Sequence, residues 1–434
     1  CGTLFPYTTL FRSQQLGMAP IWRKQKHEIS FGAGMKKILF FFVFFTQISL
    51  CFVISAQAFE ARITPWSGHW WPFTKGELVN GYQQDQDSPL AKYDLVKSAA
   101  SYGPAMSYGK KILYHPDKES WTGLCFNWAM SSILEDEPKY RSVIDNVLFN
   151  VGDKKGLLAA FYFNAVYETQ SVSEPEDFHA TLENNIKLQR TPVIMDLGSA
   201  EEVWTYPVFK YAASYDQVGD FRHYETTISY ATYTNPDQTG TVVRESTFYY
   251  YFRLDGNVIV ESGWEGRSLG NPPKTAYIPL GRRPLNNSFD FDADLIRKIS
   301  SSKDDSFKNN NSFATASSIQ TGGYPLIAYN TDFFKVYLKE KDRIQVKLIS
   351  EEPASVAIQI YNPAQNLVME SSNENYLNYE ASSSGFHYFK IEPSGTEDDP
   401  AYHLYVLQKL SHQAVFPLDQ IGRASCRERV CHRV

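Results

Sequence analysis

The chain has 434 residues, with 42 Lys or Arg against 48 Asp or Glu and a formal charge of −6 at pH 7. Its 43% hydrophobic content suffices for folded cores, and the absence of a basic excess argues against nucleic-acid binding. There is no glycine-rich phosphate loop, dinucleotide fingerprint or Cys/His metal spacing.

Residues 1–13 resemble the translation of a sequencing adapter, and 421–434 resemble its reverse complement in another frame. Both are set aside, with 14–34 read as upstream read-through. Met35-Lys36-Lys37 then opens an apolar run over 38–54, followed by Ala56-Gln57-Ala58. A positive start, an apolar run and small residues at a cleavage site predict a signal peptide over 35–58, cut after Ala58. The expected location is secreted or periplasmic, with no stable membrane anchor; a transmembrane anchor is the competing reading of the apolar run. About 360 residues remain, enough for two domains. The excluded segments carry ten Lys or Arg and two Glu, so the remaining charge is roughly −14.

Helical patterning is predicted over 89–100, 125–134, 139–147 and 154–163. From 177 onward the pattern reads as strands: 179–188, 191–197, 224–233 and 241–254 are rich in β-branched and aromatic residues. Asp255-Gly256-Asn257 reads as a hairpin turn before a strand over 258–261. Helices followed by strands predict an α+β domain over 59–290. Residues 291–318 read as a linker, dominated from 300 by Ser, Lys, Asp and Asn. Beyond it, alternating segments at 333–338, 343–348, 355–361, 385–391 and 402–407 predict a small β-sandwich over 319–410.

Five cysteines are present, but Cys1, Cys426 and Cys431 lie in the adapter-like ends and Cys51 in the leader. Cys125 is left alone, either a buried inert thiol or a nucleophile. It follows Trp121-Thr122-Gly123-Leu124 and opens the helix predicted over 125–134. Free N–H groups and the dipole at a helix N-terminus favour a thiolate and can hold an oxyanion. The expected base is His179, opening a predicted strand, with Asp196 at the end of the next strand to orient its ring. Trp66, Trp70 and Trp71 read as core in preference to a substrate platform.

The motif Trp-x-Gly-x-Cys-x-x-Trp-Ala at 121–129, followed by His179 and Asp196, resembles the transglutaminase and papain-like superfamily. Within it, the chain resembles the transglutaminase elicitor family over roughly 60–285. Pro65-Trp66-Ser67-Gly68-His69-Trp70-Trp71-Pro72, Val203-Trp204-Thr205-Tyr206-Pro207-Val208 and Gly263-Trp264-Glu265-Gly266 fall in order with that family. Phe126 departs from the family, which often has a polar residue there. Glu119 stands where papain-like peptidases carry an oxyanion Gln, so support is expected from the Cys125 N–H together with Trp121 or the Phe126 position.

The resemblance implies a Cys helix packed on an antiparallel sheet and a Cys125 thioester formed from a glutamine carboxamide. It also implies transfer to a lysine or other primary amine, with His179 protonating the departing ammonia. Cysteine peptidase, amidase or glutamine deamidase activity uses the same parts, and a binding or adhesion protein on an inactive fold is the reading from another class. Calcium serves some relatives; no acidic loop for it stands out, no other cofactor is expected, and calcium is left open. Asp304-Asp305-Ser306-Phe307, 309–316 and Tyr361-Asn362-Pro363 resemble a bacterial pre-peptidase C-terminal domain, implying an accessory role.

Overall fold

The computed structural model describes residues 57–409 except 85, 199, 284–288, 351–355, 372–375 and 394–399. The adapter-like ends, the read-through segment and the leader up to residue 56 lie outside the described residues. The chain opens with β1 (Gln57–Glu60), which pairs with a later strand and contains the expected cleavage point after Ala58. Four helices follow: α1 (Glu77–Asn80), α2 (Pro89–Ser98), α3 (Pro104–Ile112) and α4 (Cys125–Leu134). Proline at the first turn starts both α2 and α3, where its missing N–H is not needed.

The helix expected over 139–147 is instead a hairpin, β2 (Ser142–Ile144) and β3 (Val147–Phe149). Asp145 and Asn146 both take positive φ at its turn, the left-handed pair that a tight hairpin demands. After α5 (Val151–Phe161) and β4 (Ala165–Ser171) comes α6 (Pro175–Leu182), which continues as a π-helical segment over Glu183–Gln189. The strand expected at 179–188 is therefore helical. Phe178, Leu182 and Ile186, spaced by four, are all buried on one side of it.

Six strands complete this part: β5 (Val193–Asp196), β6 (Thr205–Val218), β7 (Phe221–Ala231), β8 (Val243–Asp255), β9 (Val258–Trp264) and β10 (Thr275–Arg282). The sheet order is β4-β10-β5-β6-β7-β8-β9, antiparallel throughout, with β1 joining β6 off this path. α6 packs on β4, β8 and β9, so the sheet curls until its two ends share one helix. On β5 the side chains alternate between two cores. Ile194 joins the core built with α2, α4 and α5. Val193 and Met195 join the other core, with Phe178, Leu182, Phe248 and Tyr250.

The expected linker over 291–318 is partly replaced by α7 (Ala293–Ser301). Asp292 caps it through the N–H groups of Asp294 and Leu295, and Ile296 and Ile299 are buried in the core beside α5. The remaining strands are β11 (Ser317–Ser318), β12 (Gly322–Ile327), β13 (Asp332–Leu338), β14 (Arg343–Ser350) and β15 (Val356–Tyr361). They are followed by β16 (Leu367–Glu370), β17 (Tyr376–Glu380), β18 (Gly385–Pro393) and β19 (Ala401–Lys409). They form a five-stranded sheet, β11-β13-β18-β15-β16, and a four-stranded sheet, β12-β19-β14-β17. Both line one core, Phe334, Ile358 and Phe389 coming from the first and Ile344, Leu404 and Val406 from the second.

Candidate active site

The site begins with a close approach of backbone. Pro72 and Gly123 form an isolated antiparallel bridge, flanked by bonds from Leu124 N–H to Trp70 O (2.6 Å) and Phe73 N–H to Thr122 O (3.0 Å). A side chain at 123 would stand 2.6 Å from Trp70 O and 2.9 Å from Trp71 O, so glycine is needed there for space. α4 starts immediately after this bridge, with Cys125 as its first residue. Leu124, the residue before it, offers no side-chain cap. The first N–H groups of the helix, beginning with that of Cys125, consequently have no acceptor of the helix's own.

Cys125 is 9% exposed and free. Thr205 donates its hydroxyl to Sγ at 3.4 Å, and the backbone oxygen of Val203 lies 3.9 Å from Sγ. The thiol lines a cleft of about 320 Å³ with Phe73, Lys118, Trp121, Phe126, Tyr167 and Tyr277 among its other walls. Phe126, Tyr167 and Tyr277 pack edge to face, with ring centroids 4.8–5.5 Å apart. Phe126, the noted departure from the polar residue common in the family, builds an apolar wall. Trp121 and Phe126, the expected oxyanion supports, both line the cleft, the second with its N–H in the first turn of α4.

Asp196 stands at the end of β5, directly opposite Thr205 on β6 and Thr275 on β10. It shares a sheet face with both. It is 3% exposed, and burial raises its pKa to about 6. Lys274 and the backbone N–H groups of Gly198 and Trp204 pull in the opposite direction without cancelling that effect. Burial also raises the Tyr277 hydroxyl pKa, and negative charge on both Asp196 and Cys125 adds to the shift. Tyr277 is thus electrostatically linked to both groups.

His179 does not join them. It lies on α6, where its Nδ1 meets the Tyr250 hydroxyl at 2.6 Å and its ring packs on Tyr224, Tyr250 and Phe252. Tyr250 and Phe252 belong to the core on the other face of the sheet from α4, so a layer of strand backbone separates His179 from Cys125. Burial lowers the pKa of His179, and the imidazole is held as a neutral partner of Tyr250.

The strand-to-strand alignment expected between His179 and Asp196 fails because residue 179 is helical. The other histidines of this part have partners too: His69 with Glu77, His115 with Ile112 O and His223 with Glu265. Among the described residues, no histidine lines the cleft, and no cluster of three or more His, Cys, Asp or Glu could hold a metal ion. Thr205 is the site residue that the sequence reading missed. Its only signal is its position in the Val203–Val208 motif, because its role depends on pairing with β5.

Residues 117–174 match the family model described as transglutaminase elicitor. This is the family that the cysteine motif resembles, and the match includes Cys125 but stops short of His179, Asp196 and Thr205. Among solved structures, the chain is similar to the GP42 transglutaminase from Phytophthora sojae, at 18% identity over 56% of this chain and 91% of that one, with a TM-score of 0.48. The pre-peptidase C-terminal domain of collagenase from Bacillus anthracis is similar at 17% identity over 21% and 94% of the two chains, with a TM-score of 0.19. PliG from Aeromonas hydrophila, a periplasmic inhibitor of g-type lysozyme, is similar at 12% identity over 22% and 96%, with a TM-score of 0.19. A search of curated proteins gives no match.

Proposed function

We propose that the protein is an exported acyltransferase of transglutaminase type, with Cys125 as its nucleophile. The observation that carries this reading is the free thiol at the uncapped start of α4, inside an aromatic cleft and touched by a hydroxyl donor. A structural cysteine needs neither the cleft nor the donor. The match of residues 117–174 to the transglutaminase elicitor model supports the same reading.

The thiolate adds to a glutamine carboxamide, and the N–H groups at the start of α4 receive the oxyanion. Ammonia leaves, a thioester remains on Sγ, and a lysine or other primary amine displaces it to give an isopeptide bond. Aromatic walls that shield the thioester from water favour the amine as acceptor. The C-terminal pair of sheets is accessory in this reading and takes no part in the chemistry.

The test is incubation of the full chain with a glutamine peptide and a tagged primary amine, beside Cys125→Ala. Amine incorporation that vanishes in the variant supports transglutamination, and ammonia release without incorporation redirects the reading to deamidation. Peptide cleavage alone redirects it to a peptidase. No activity on any amide, together with no iodoacetamide labelling of Cys125 near neutral pH, sinks the enzyme reading.

A further inference from the structure

The acyl-transfer reading, on which this inference rests, requires a group that takes the thiol proton, and among the described residues no imidazole lines the cleft. The sheet face beneath α4 offers another group. Asp196, Thr205 and Cys125 follow one another from β5 to β6 to α4. Asp196 is the cross-strand partner of Thr205, and the Thr205 hydroxyl touches Sγ. Side chains directly opposed in an antiparallel pair lie on one face with Cβ atoms about 5 Å apart.

The charged and titratable groups that face Asp196 are few. Lys274 approaches it from the start of β10, and Tyr277 on β10 feels the charge of Asp196 and, separately, that of Cys125. Among the described residues of its own loop and the start of β6, the N–H groups of Gly198 and Trp204 bond it. A buried carboxyl with this few compensating charges lies close to the balance between its acid and base forms, as a proton shuttle requires.

We propose that Asp196 is the acid–base group for Cys125 and that Thr205 holds the thiolate, the pair doing the work that a histidine does in a Cys-His-Asp triad. In the first half-reaction the S–H proton passes to the Asp196 carboxylate as the S–C bond forms. The C–N bond then breaks, and the same proton goes to the departing nitrogen, which leaves as ammonia. In the second half-reaction the amine nitrogen bonds to the thioester carbon, its proton goes to Asp196, and the C–S bond breaks. The proton returns to Sγ. Nothing is oxidised or reduced.

The experiment uses the full chain and two readouts over pH 5–9, amine incorporation into a glutamine peptide and alkylation of Cys125 by iodoacetamide. In the unaltered protein both rates should rise through an inflection at about pH 6. Asp196→Asn should cut amine incorporation at least about 100-fold and remove that inflection from the alkylation profile, with an unchanged melting curve. Thr205→Val should slow both readouts about tenfold, and Thr205→Ser should restore them. His179→Gln, which can still bond Tyr250, should retain incorporation within about threefold.

Near-normal incorporation in folded Asp196→Asn, or loss in His179→Gln with Asp196→Asn active, overturns the proposal. If Asp196→Asn does not fold, the unaltered protein decides: no inflection between pH 5 and 7 in alkylation overturns it. If the unaltered protein incorporates no amine, the transglutaminase reading fails on its own, while the alkylation profiles still test the link between Asp196 and Cys125.

Discussion

Gly123→Ala should damage the protein more than any other single methyl group added near the site. The new Cβ would meet Trp70 O at 2.6 Å, Trp71 O at 2.9 Å and the Pro72 Cα at 3.1 Å. All three are backbone atoms, so no rotamer change relieves the contact, and the bridge between Pro72 and Gly123 must open. Overpacking of this kind costs about 1–3 kcal/mol. The short Leu124 N–H to Trp70 O bond is strained along with it, for about another 1 kcal/mol. The sum is about 2–4 kcal/mol, or roughly 4–16 °C in the melting temperature of a part this size.

The φ of Gly123 does not lie in the left-handed region, so alanine there would otherwise be neutral or slightly stabilising. Gly270 provides the control. A Cβ there meets nothing within 4 Å, and Gly270→Ala should hold or raise the melting temperature. The assay is differential scanning calorimetry of both variants, with the Cys125 alkylation rate measured beside it. A Gly123→Ala protein that melts within about 1 °C of the parent, with an unaltered alkylation rate, would refute the packing account of this wall.

Lys155 is fully buried and bonds Glu137, Ser67 O and Gln238 O at 2.7–2.8 Å. Lys155→Met leaves the Glu137 carboxylate without its counter-ion, bonded still by the Gly240 N–H, and should cost about 3–5 kcal/mol in urea unfolding, with Glu137→Gln restoring part of it. Asp332, buried against the Tyr402 hydroxyl, has its pKa pushed up to about 8, first by burial and then by Asp305 and Asp304. Its folded pKa lies above its unfolded one, so its contribution to stability falls as pH rises from about 4 to about 8. Calorimetry should find the C-terminal sheets melting lower at pH 8.5 than at pH 5, with Asp332→Asn flattening that slope. Phe126→Ala removes a ring shared with Tyr167 and Tyr277 and should raise KM for a glutamine peptide more than it lowers kcat, in a steady-state titration.

The parts of the fold that were legible in the sequence depend on local signals. The helix at Cys125, the Asp255-Gly256 turn and the alternating segments of the C-terminal sheets each carry their pattern within a dozen residues. Two local signals were present but outweighed by composition. Asp145-Asn146 marked a hairpin inside an apolar stretch read as helix, and Phe178, Leu182 and Ile186 marked a helix inside a stretch read as strand. Of the site, Cys125, Trp121, Phe126 and Asp196 were legible as residues, but the link between Asp196 and Cys125 was not. Thr205 and Asp196 meet because β5 and β6 pair in one register, and nothing near residue 205 encodes that.

The tryptophans near the start of the described chain were read as core; Trp66 and Trp71 are buried there, whereas Trp70 is half-buried and outside the core, and the segment they share has a specific task. The segment 66–73 is no regular strand, yet it is pinned along its length. Ser67 bonds Gly240 O and Val242, Gly68 O receives Thr234 N–H, and Phe73 bonds Thr122. Trp71 is held at a φ of 46° and is 2% exposed, a conformation that a bulky residue adopts only where its surroundings compel it. The neighbouring Trp70 acts at both sides of the site. Its carbonyl receives the N–H of Leu124, the residue before Cys125, and its ring packs 5.3 Å from Trp204, the residue before Thr205. One residue thus fixes the backbone on either side of the 3.4 Å contact between Thr205 and Sγ. That contact joins a helix to a strand 80 residues later in the chain, and its geometry depends on a rigid third body touching both. The buried Lys155 ties the same segment, through Ser67 O, to α5 behind it. The rigidity of the site therefore rests on backbone bonds and one buried cation, with the apolar core filling the space between them.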